Sequence, residues 1–419
     1  METRFTNQQL HQAPIKMAND ILRNCVHCGF CTATCPTYVV LGDELDSPRG
    51  RIYQIRDMLE KVQPAPANTV RHIDRCLSCL SCMTTCPSGV DYMHLVDHAR
   101  NYIEETHKRP LGERILRNIL AIVLPRPGLF RLSLISARLI KPLRTLLPGR
   151  LKGMVALAPD SLPKAEPIGT QSPQGDVRMR VAFLPGCAQQ VLAPRINAAA
   201  ARLLVRLGCE VIEPDDLQCC GALTHHMGKE DAALELAKYN IEAWERANAD
   251  VIAITASGCS SMVKDYGHML KDDHAWAERA AEISAKTRDI SEVVSELGLE
   301  GVEDFDKPSV AYHAPCSLQH GQKNIDGPPN LLKAAGFEVN TPKEAHLCCG
   351  SAGIYNIMQP ELGADLGKRK GDSLDVLKAD VIATGNIGCL VQIGEYAGTP
   401  VVHSVELLDW ATGGPSPLK

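Results

Sequence analysis

The chain has 419 residues, 45% of them apolar and only 4% aromatic, with a net charge of −5. That length exceeds one ordinary core and predicts two to four domains, and the acidic balance does not suggest a general polyanion binder, so nucleic acid is not an expected partner. The polar opening METRFTNQQLHQAPIK lacks an apolar signal core and no run of about 18 apolar residues occurs, so the 17 cysteines point to thiolate–metal chemistry rather than to exported disulfides.

Two runs dominate the first hundred residues. CVHCGFCTATCP (25–36) and CLSCLSCMTTCP (76–87) both read C-x2-C-x2-C-x3-C-P, the spacing of bacterial two-cluster ferredoxins. Three cysteines in a tight loop hold one [4Fe–4S] cube, and the fourth starts the next helix and reaches the other cube. Crossed ligation assigns Cys25, Cys28, Cys31 and Cys86 to one cluster, and Cys76, Cys79, Cys82 and Cys35 to the second. Pro36 and Pro87 are expected to turn the chain away after the fourth ligand. The alternative, a pair of zinc sites, expects two C-x2-C pairs separated by a spacer, which these runs do not show.

Between the runs, DSPRGRIYQIRDMLE (46–60) predicts a helix capped by Ser47 with Pro48 in its first turn. Arg49 and Arg51 either offset the charge of a thiolate-bound cluster or lie solvated on an amphipathic helix. His27 and His72 read as residues behind the ligands or on the surface.

Residues 109–152 are one-sidedly basic. Arg109, Arg114, Arg117, Arg126, Arg131, Arg138, Lys141, Arg144, Arg150 and Lys152 face a single acid, Glu113, among interleaved Leu and Ile. Pro125, Pro127, Pro142 and Pro148 divide the stretch into short amphipathic helices. These suit an anionic membrane surface or an acidic partner, or else pack on the chain's own core with their arginines in water. A Pro-, Gly- and Ser-rich linker is expected over 159–177.

From residue 178 the chain alternates strand and helix, and then repeats itself. VAFLPGC is matched by VAYHAPC, and VIAITASGC by VIATGNIGC. Cys187 pairs with Cys316, Cys219-Cys220-Gly221 with Cys348-Cys349-Gly350, and Cys259 with Cys389, at offsets of 129, 129 and 130 residues. A duplicated, mainly parallel α/β domain follows. Its four cysteines gather at the carboxyl ends of the strands, where they suit an additional cluster, a zinc ion or redox-active thiols. Cys209 aligns with Phe337 and reads as a core residue. His225 and His226 have no counterpart in the second copy and read as surface or cleft residues.

The predicted fold is therefore an α+β multi-domain chain, with an N-terminal helical two-[4Fe–4S] ferredoxin-like module followed by two repeated α/β CCG domains. Expected boundaries are 1–108, 109–177, 178–305 and 306–419.

CVHCGFCTATCPTY, LGDELDSPRGRIY, HLCCGSAG and NIGC together resemble the iron–sulfur subunit of bacterial glycolate oxidase, across essentially the whole chain. The CCG domain alone is similar, more broadly, to those of heterodisulfide reductase, anaerobic glycerol-3-phosphate dehydrogenase and lactate-utilisation proteins. In heterodisulfide reductase the last cysteine of each copy belongs to a C-x2-C pair; Ala256 and Asn386 stand at the earlier position here, which leaves four thiols per copy. The resemblance implies a division of labour. Two flavoprotein-type sister subunits carry FAD and oxidise glycolate to glyoxylate, and this chain passes electrons toward a quinone while bound peripherally to the cytoplasmic side of the inner membrane. No G-x-G-x-x-G follows a strand, and no residue of this chain is assigned a catalytic role. The alternatives are the equivalent subunit of a lactate or glycerol-3-phosphate dehydrogenase, a heterodisulfide-reductase-like thiol/disulfide enzyme, and a zinc-stabilised scaffold.

Overall fold

The computed structural model describes residues 1–146, 153–155 and 158–418; Pro148, Arg150 and Lys152 of the basic segment lie outside them. In the N-terminal module, helices α1 (Ala13–Asn24), α2 (Pro48–Lys61) and α3 (Tyr92–Thr106) enclose a core that includes Leu22, Ile55, Leu95 and Ile103. The Ser47 hydroxyl caps α2 by accepting from the Gly50 N–H at 3.0 Å, with Pro48 in the first turn.

The basic segment forms α4 (Leu111–Val123) and α5 (Pro127–Ile140). Not all of its cations face outward. Arg109 is buried between Asp74, Glu104 and Glu113, and Arg117 pairs with Glu104 and donates to the Met227 carbonyl at 2.8 Å. Leu116, Leu120 and Leu124 of this segment pack on Met227, Ile354 and Met358. The opposite side of α4 exposes Leu111, Ile115, Ile119 and Ile122, and α5 exposes Leu129, Leu132, Ile135 and Leu139. Segments with one apolar and one cationic face were expected; α4 is instead apolar on two sides. Among the described residues no helix is long and apolar enough to cross a membrane. The expected linker is tied down: Gln171 bridges to Val211, and Ile168 is buried in the core.

The first copy comprises β1 (Met179–Leu184), α6 (Pro194–Arg206), β2 (Cys209–Ile212), α7 (Glu230–Ala247), β3 (Val251–Ile254), α8 (Ser257–Lys264) and β4 (Thr287–Asp289). The second has β5 (Val310–His313), β6 (Val339–Asn340), α9 (Pro360–Asp375), β7 (Val381–Thr384), α10 (Ile387–Tyr396), β8 (Val401–His403) and α11 (Ser404–Ala411). Both sheets are parallel, in the orders β2-β1-β3-β4 and β6-β5-β7-β8. Strands such as VIAI are buried on both faces, as a helix-covered parallel sheet requires. In this order the crossovers diverge between β1 and β3, and between β5 and β7, which opens a crevice at the strands' carboxyl ends.

One apolar core runs through both copies, and Arg202 and Arg206 of α6 grip the buried Asp409 of α11. The N-terminal module docks on the first copy through charged contacts. His94 bridges Asp91 and Asp265 (2.5 and 3.0 Å); burial opposes its charge, but the two carboxylates prevail and push it up to about 10. His225 and His226, which the sequence left without a partner, both face Asp97 of α3 (3.3 and 3.6 Å) and belong to this interface.

Candidate metal centres

The two cysteine runs adopt the same loop. His27 and Gly29 in the first, and Ser78 and Leu80 at the equivalent places in the second, all have left-handed backbones. For a bulky residue such as Leu80 this costs on the order of 1–3 kcal/mol, strain that the surrounding fold must hold in place. Cys35 caps the short helix Pro36–Leu41, so Pro36 begins a helix rather than turning the chain away; Pro87 does lie in a turn.

The thiols gather across the runs. Cys25, Cys28, Cys31 and Cys86 line a cavity of about 30 Å³. Cys35, Cys76, Cys79 and Cys82 line a second, of about 20 Å³. Cys82 and Tyr92 border both cavities, so the two are neighbours. Cys28 is exposed, beside exposed Val26 and Phe30, whereas Cys79 and Cys82 are buried. Burial, then neighbouring thiols, pushes Cys79 and Cys82 well up. Burial chiefly also raises Cys31, to about 11. Thiols packed this way ionise when a cation joins them. Each thiol-lined cavity, with Cys82 shared between them, therefore fits a metal cluster, and no described cysteine is in a disulfide.

A buried cation already stands at the second cavity. Arg51 is 1% exposed; its Nη1 donates to Cys35 Sγ at 3.8 Å, its Nη2 to Thr37 Oγ1 at 3.0 Å, and its Nε to the His72 carbonyl at 2.7 Å. Burial opposes its charge, but Cys76, Tyr92, Cys35 and Asp46 hold it protonated. Asp46 is the brace, accepting from Arg51, His72 Nδ1 and Arg75. Arg49 instead pairs with Glu44 at the surface and reaches the His27 carbonyl. His72 is thus buried behind the ligands, and His27 is partly exposed against Tyr53. Sequence reasoning missed Asp46 and Tyr92, whose hydroxyl donates to Cys76 Sγ at 3.7 Å; neither belongs to a cysteine pattern.

The turn carrying Asp46 depends on Gly50. A Cβ there would sit 2.0 Å from the Glu44 carbonyl oxygen, which is backbone and cannot swing aside. Gly50→Ala is expected to cost about 3 kcal/mol by overpacking. It should lower the iron retained per chain, measured by metal analysis against the wild type.

In the repeated domains the cysteines collect at the crevices. Cys187 follows β1 and Cys259 lies in α8, directly after β3; Cys316 and Cys389 repeat this after β5 and β7. Cys187 and Cys219 sulfurs are 3.4 Å apart, Cys316 and Cys348 3.8 Å, and Cys349 and Cys389 3.5 Å. The hydrogen bond between them raises Cys187 and lowers Cys219. Cys220 is raised first by its bonds to Cys219 and Cys259. Gly350 takes a left-handed turn where a Cβ would lie 2.7 Å from the Gly363 carbonyl, so the CCG loop fits only as glycine against α9. Cys209 lies fully buried on β2, away from these thiols in the apolar core. The second copy also sits beside the N-terminal module: Cys79 shares an apolar cluster with Cys348, Tyr355 and Cys316.

The cysteine-rich (CCG) domain family matches residues 181–264 and 310–394, and the 4Fe-4S dicluster domain family matches residues 21–90. The glycolate oxidase iron-sulfur subunit of Escherichia coli (strain K12) is 43% identical over 98% of this chain and 99% of that protein. The chain belongs to the family of glycolate oxidase iron–sulfur subunits. A probable member from Bacillus subtilis (strain 168) is 34% identical over 95% of this chain and 96% of its own length. Lactate utilization protein A of an Exiguobacterium species is 30% identical over 55% of this chain and 96% of that protein. A crystal structure of a hypothetical protein from Helicobacter pylori superposes with a TM-score of 0.54, covering 96% of this chain and 73% of that one at 11% identity, a likeness of fold. As a member of this family the chain is an iron–sulfur oxidoreductase component.

Proposed function

We propose that this chain is the electron-transfer subunit of a glycolate dehydrogenase complex. Two flavoprotein partners carrying FAD would oxidise glycolate to glyoxylate, and this chain would deliver the electrons to a quinone. The observation that carries the reading is the pair of adjoining thiol-lined cavities, one reaching the surface at Cys28 and the other buried beside Arg51. [4Fe–4S] clusters bound there would take up and release single electrons. The chain's own residues supply the rest. Cys25, Cys28, Cys31 and Cys86 hold one cluster, and Cys76, Cys79, Cys82 and Cys35 the other. Arg51 offsets the thiolate charge of the buried set, and Tyr92, which borders both cavities, donates its hydroxyl to Cys76 Sγ. The thiols Cys187, Cys219, Cys220 and Cys259, and Cys316, Cys348, Cys349 and Cys389, are the candidates for further metal ligation.

Glycolate, rather than lactate, is favoured by the near-complete coverage of the glycolate oxidase relative. The exposed apolar side of α4 and α5, flanked by exposed Arg114, Arg126 and Arg138, is the surface that would rest on the cytoplasmic face of the inner membrane. Anaerobic purification of this chain with its co-expressed partners tests the proposal. About eight irons in two [4Fe–4S] clusters, FAD on the partners only, and glycolate-dependent quinone reduction are expected. Reduction with lactate but not glycolate would reassign the substrate, and a complex without iron would overturn the reading.

A further inference from the structure

The two CCG copies are chemically unequal. Where the first ends β1 on Leu184, the second ends β5 on His313, at the carboxyl-end crevice into which its thiols project. His313 is 1% exposed, and neither of its ring nitrogens has a hydrogen-bond partner. A buried polar group left unpaired costs about 1–3 kcal/mol, so a histidine here in place of leucine needs a reason. Its potential partners are thiols: one ring nitrogen of His313 and the sulfurs of Cys349 and Cys389 all lie within 4.8 Å of one another.

The spacing suits one ion. Two thiolates on a tetrahedral zinc, each about 2.3 Å from the metal, stand about 3.8 Å apart. Cys349 and Cys389 sulfurs are 3.5 Å apart; Cys316–Cys348 at 3.8 Å and Cys187–Cys219 at 3.4 Å are as close, so the imidazole that joins Cys349 and Cys389, rather than the sulfur spacing, sets this site apart. A cubane, by contrast, binds its terminal ligands on separate irons at diverging corners, and spreads them. Charge points the same way. Three thiolates and a neutral imidazole around a divalent ion leave one negative charge. Lys370 on α9 is 2% exposed, with its Nζ donating to the Glu344 carbonyl at 2.8 Å; burial pushes its ammonium below the usual lysine range, and the neighbouring Cys349, Cys348 and Cys389 oppose that shift. In the first copy the matching helix position is Asn240, whose amide donates instead to the Cys219 carbonyl.

We propose that the second copy, and not the first, holds a single zinc ion, with His313, Cys349 and Cys389 as ligands and the adjacent Cys348 as the fourth. Such a closed site is structural and redox-inert. It braces the loop against which Cys79 packs, and leaves Cys316 as an unligated thiol beside that cysteine. The assignment rests on the reading that the CCG thiols bind metal.

The test is made on the anaerobically purified complex. Zinc and iron are counted, and the zinc ligand shell is read by X-ray absorption in the wild type, in His313→Leu and in Cys389→Ser. Leucine is what the first copy carries at this position, so His313→Leu should fold. The wild type is expected to hold one zinc per chain in a mixed nitrogen–sulfur shell. Both variants should lose at least about tenfold in zinc affinity while keeping the wild-type iron count. A wild type without zinc, an all-sulfur shell, or zinc unchanged in His313→Leu would overturn the proposal. Iron falling in place of zinc would show that the second copy holds a cluster. Should His313→Leu fail to fold, the wild-type shell decides alone. Absence of iron from the wild-type complex would instead count against the electron-transfer reading.

Discussion

Cys79→Ser is expected to cut glycolate-dependent quinone reduction by this complex on the order of 100-fold, about 2.7 kcal/mol of barrier, while flavin reduction on the partner subunits proceeds at the wild-type rate. Cys79 is buried in the inner four-thiol cavity, next to the second CCG copy. A serine hydroxyl is a poor substitute for a thiolate and would be left buried there without its metal. The informative comparison is with Cys35→Ser. Cys35 belongs by sequence to the first run, but it lines the cavity of the second, with Arg51 donating to its sulfur. Cys35→Ser should therefore resemble Cys79→Ser, losing the paramagnetic signal of the inner cluster and retaining that of the outer one. Cys28→Ser should do the reverse. If Cys35→Ser behaved as Cys28→Ser does, each run would hold its own cluster, and the crossed assignment would be wrong. Stopped-flow flavin absorbance and electron paramagnetic resonance on the reduced complex separate these outcomes.

The features legible from sequence were those written as spacing. The cysteine runs could be placed because a cubane imposes short, fixed intervals, and the duplication because four cysteines recur at nearly one offset. The parallel sheets followed from apolar segments such as VAFL and VIAI. What could not be read was long-range. Asp46 is an ordinary acid in the sequence; only folding brings Arg51, His72 and Arg75 onto it. His225 and His226 lacked a partner because Asp97 lies more than a hundred residues away on a different module. His313 was the exception. Its signal was present in the repeat, as the histidine of VAYH opposite the leucine of VAFL, but its meaning required knowing that this strand end faces Cys349 and Cys389. The basic segment shows the opposite error. Its arginines look like a uniform cationic face, whereas Arg109 and Arg117 are consumed by internal ion pairs and the leucines and isoleucines occupy both sides of α4.

That arrangement sets the second large effect. Ile115, Ile119 and Leu132 are 49%, 50% and 59% exposed, far more apolar side chain than a helix of a soluble monomer needs to leave in water. Burial of one such side chain in a membrane interface is worth about 1.5–3 kcal/mol, and each arginine near an anionic headgroup adds about 1 kcal/mol. Exposed Arg114, Arg126 and Arg138 lie among these residues, and Glu113, the one acid within the sequence of α4 and α5, is paired with Arg109. The proposed lipid contact draws on apolar and cationic groups interleaved along one exposed surface. Ile119→Glu combined with Leu132→Glu is expected to lower binding of the purified complex to vesicles containing anionic phospholipid by at least about 100-fold. Both side chains are exposed and neither belongs to the cluster of Leu116, Leu120 and Leu124, so cluster content and glycolate-dependent reduction of a water-soluble dye should be unchanged. Raised salt should weaken the wild type's binding, and zwitterionic vesicles should bind less tightly than anionic ones. If the double variant instead sheds its flavoprotein partners and keeps its affinity for vesicles, this surface is the subunit interface and the membrane contact lies elsewhere.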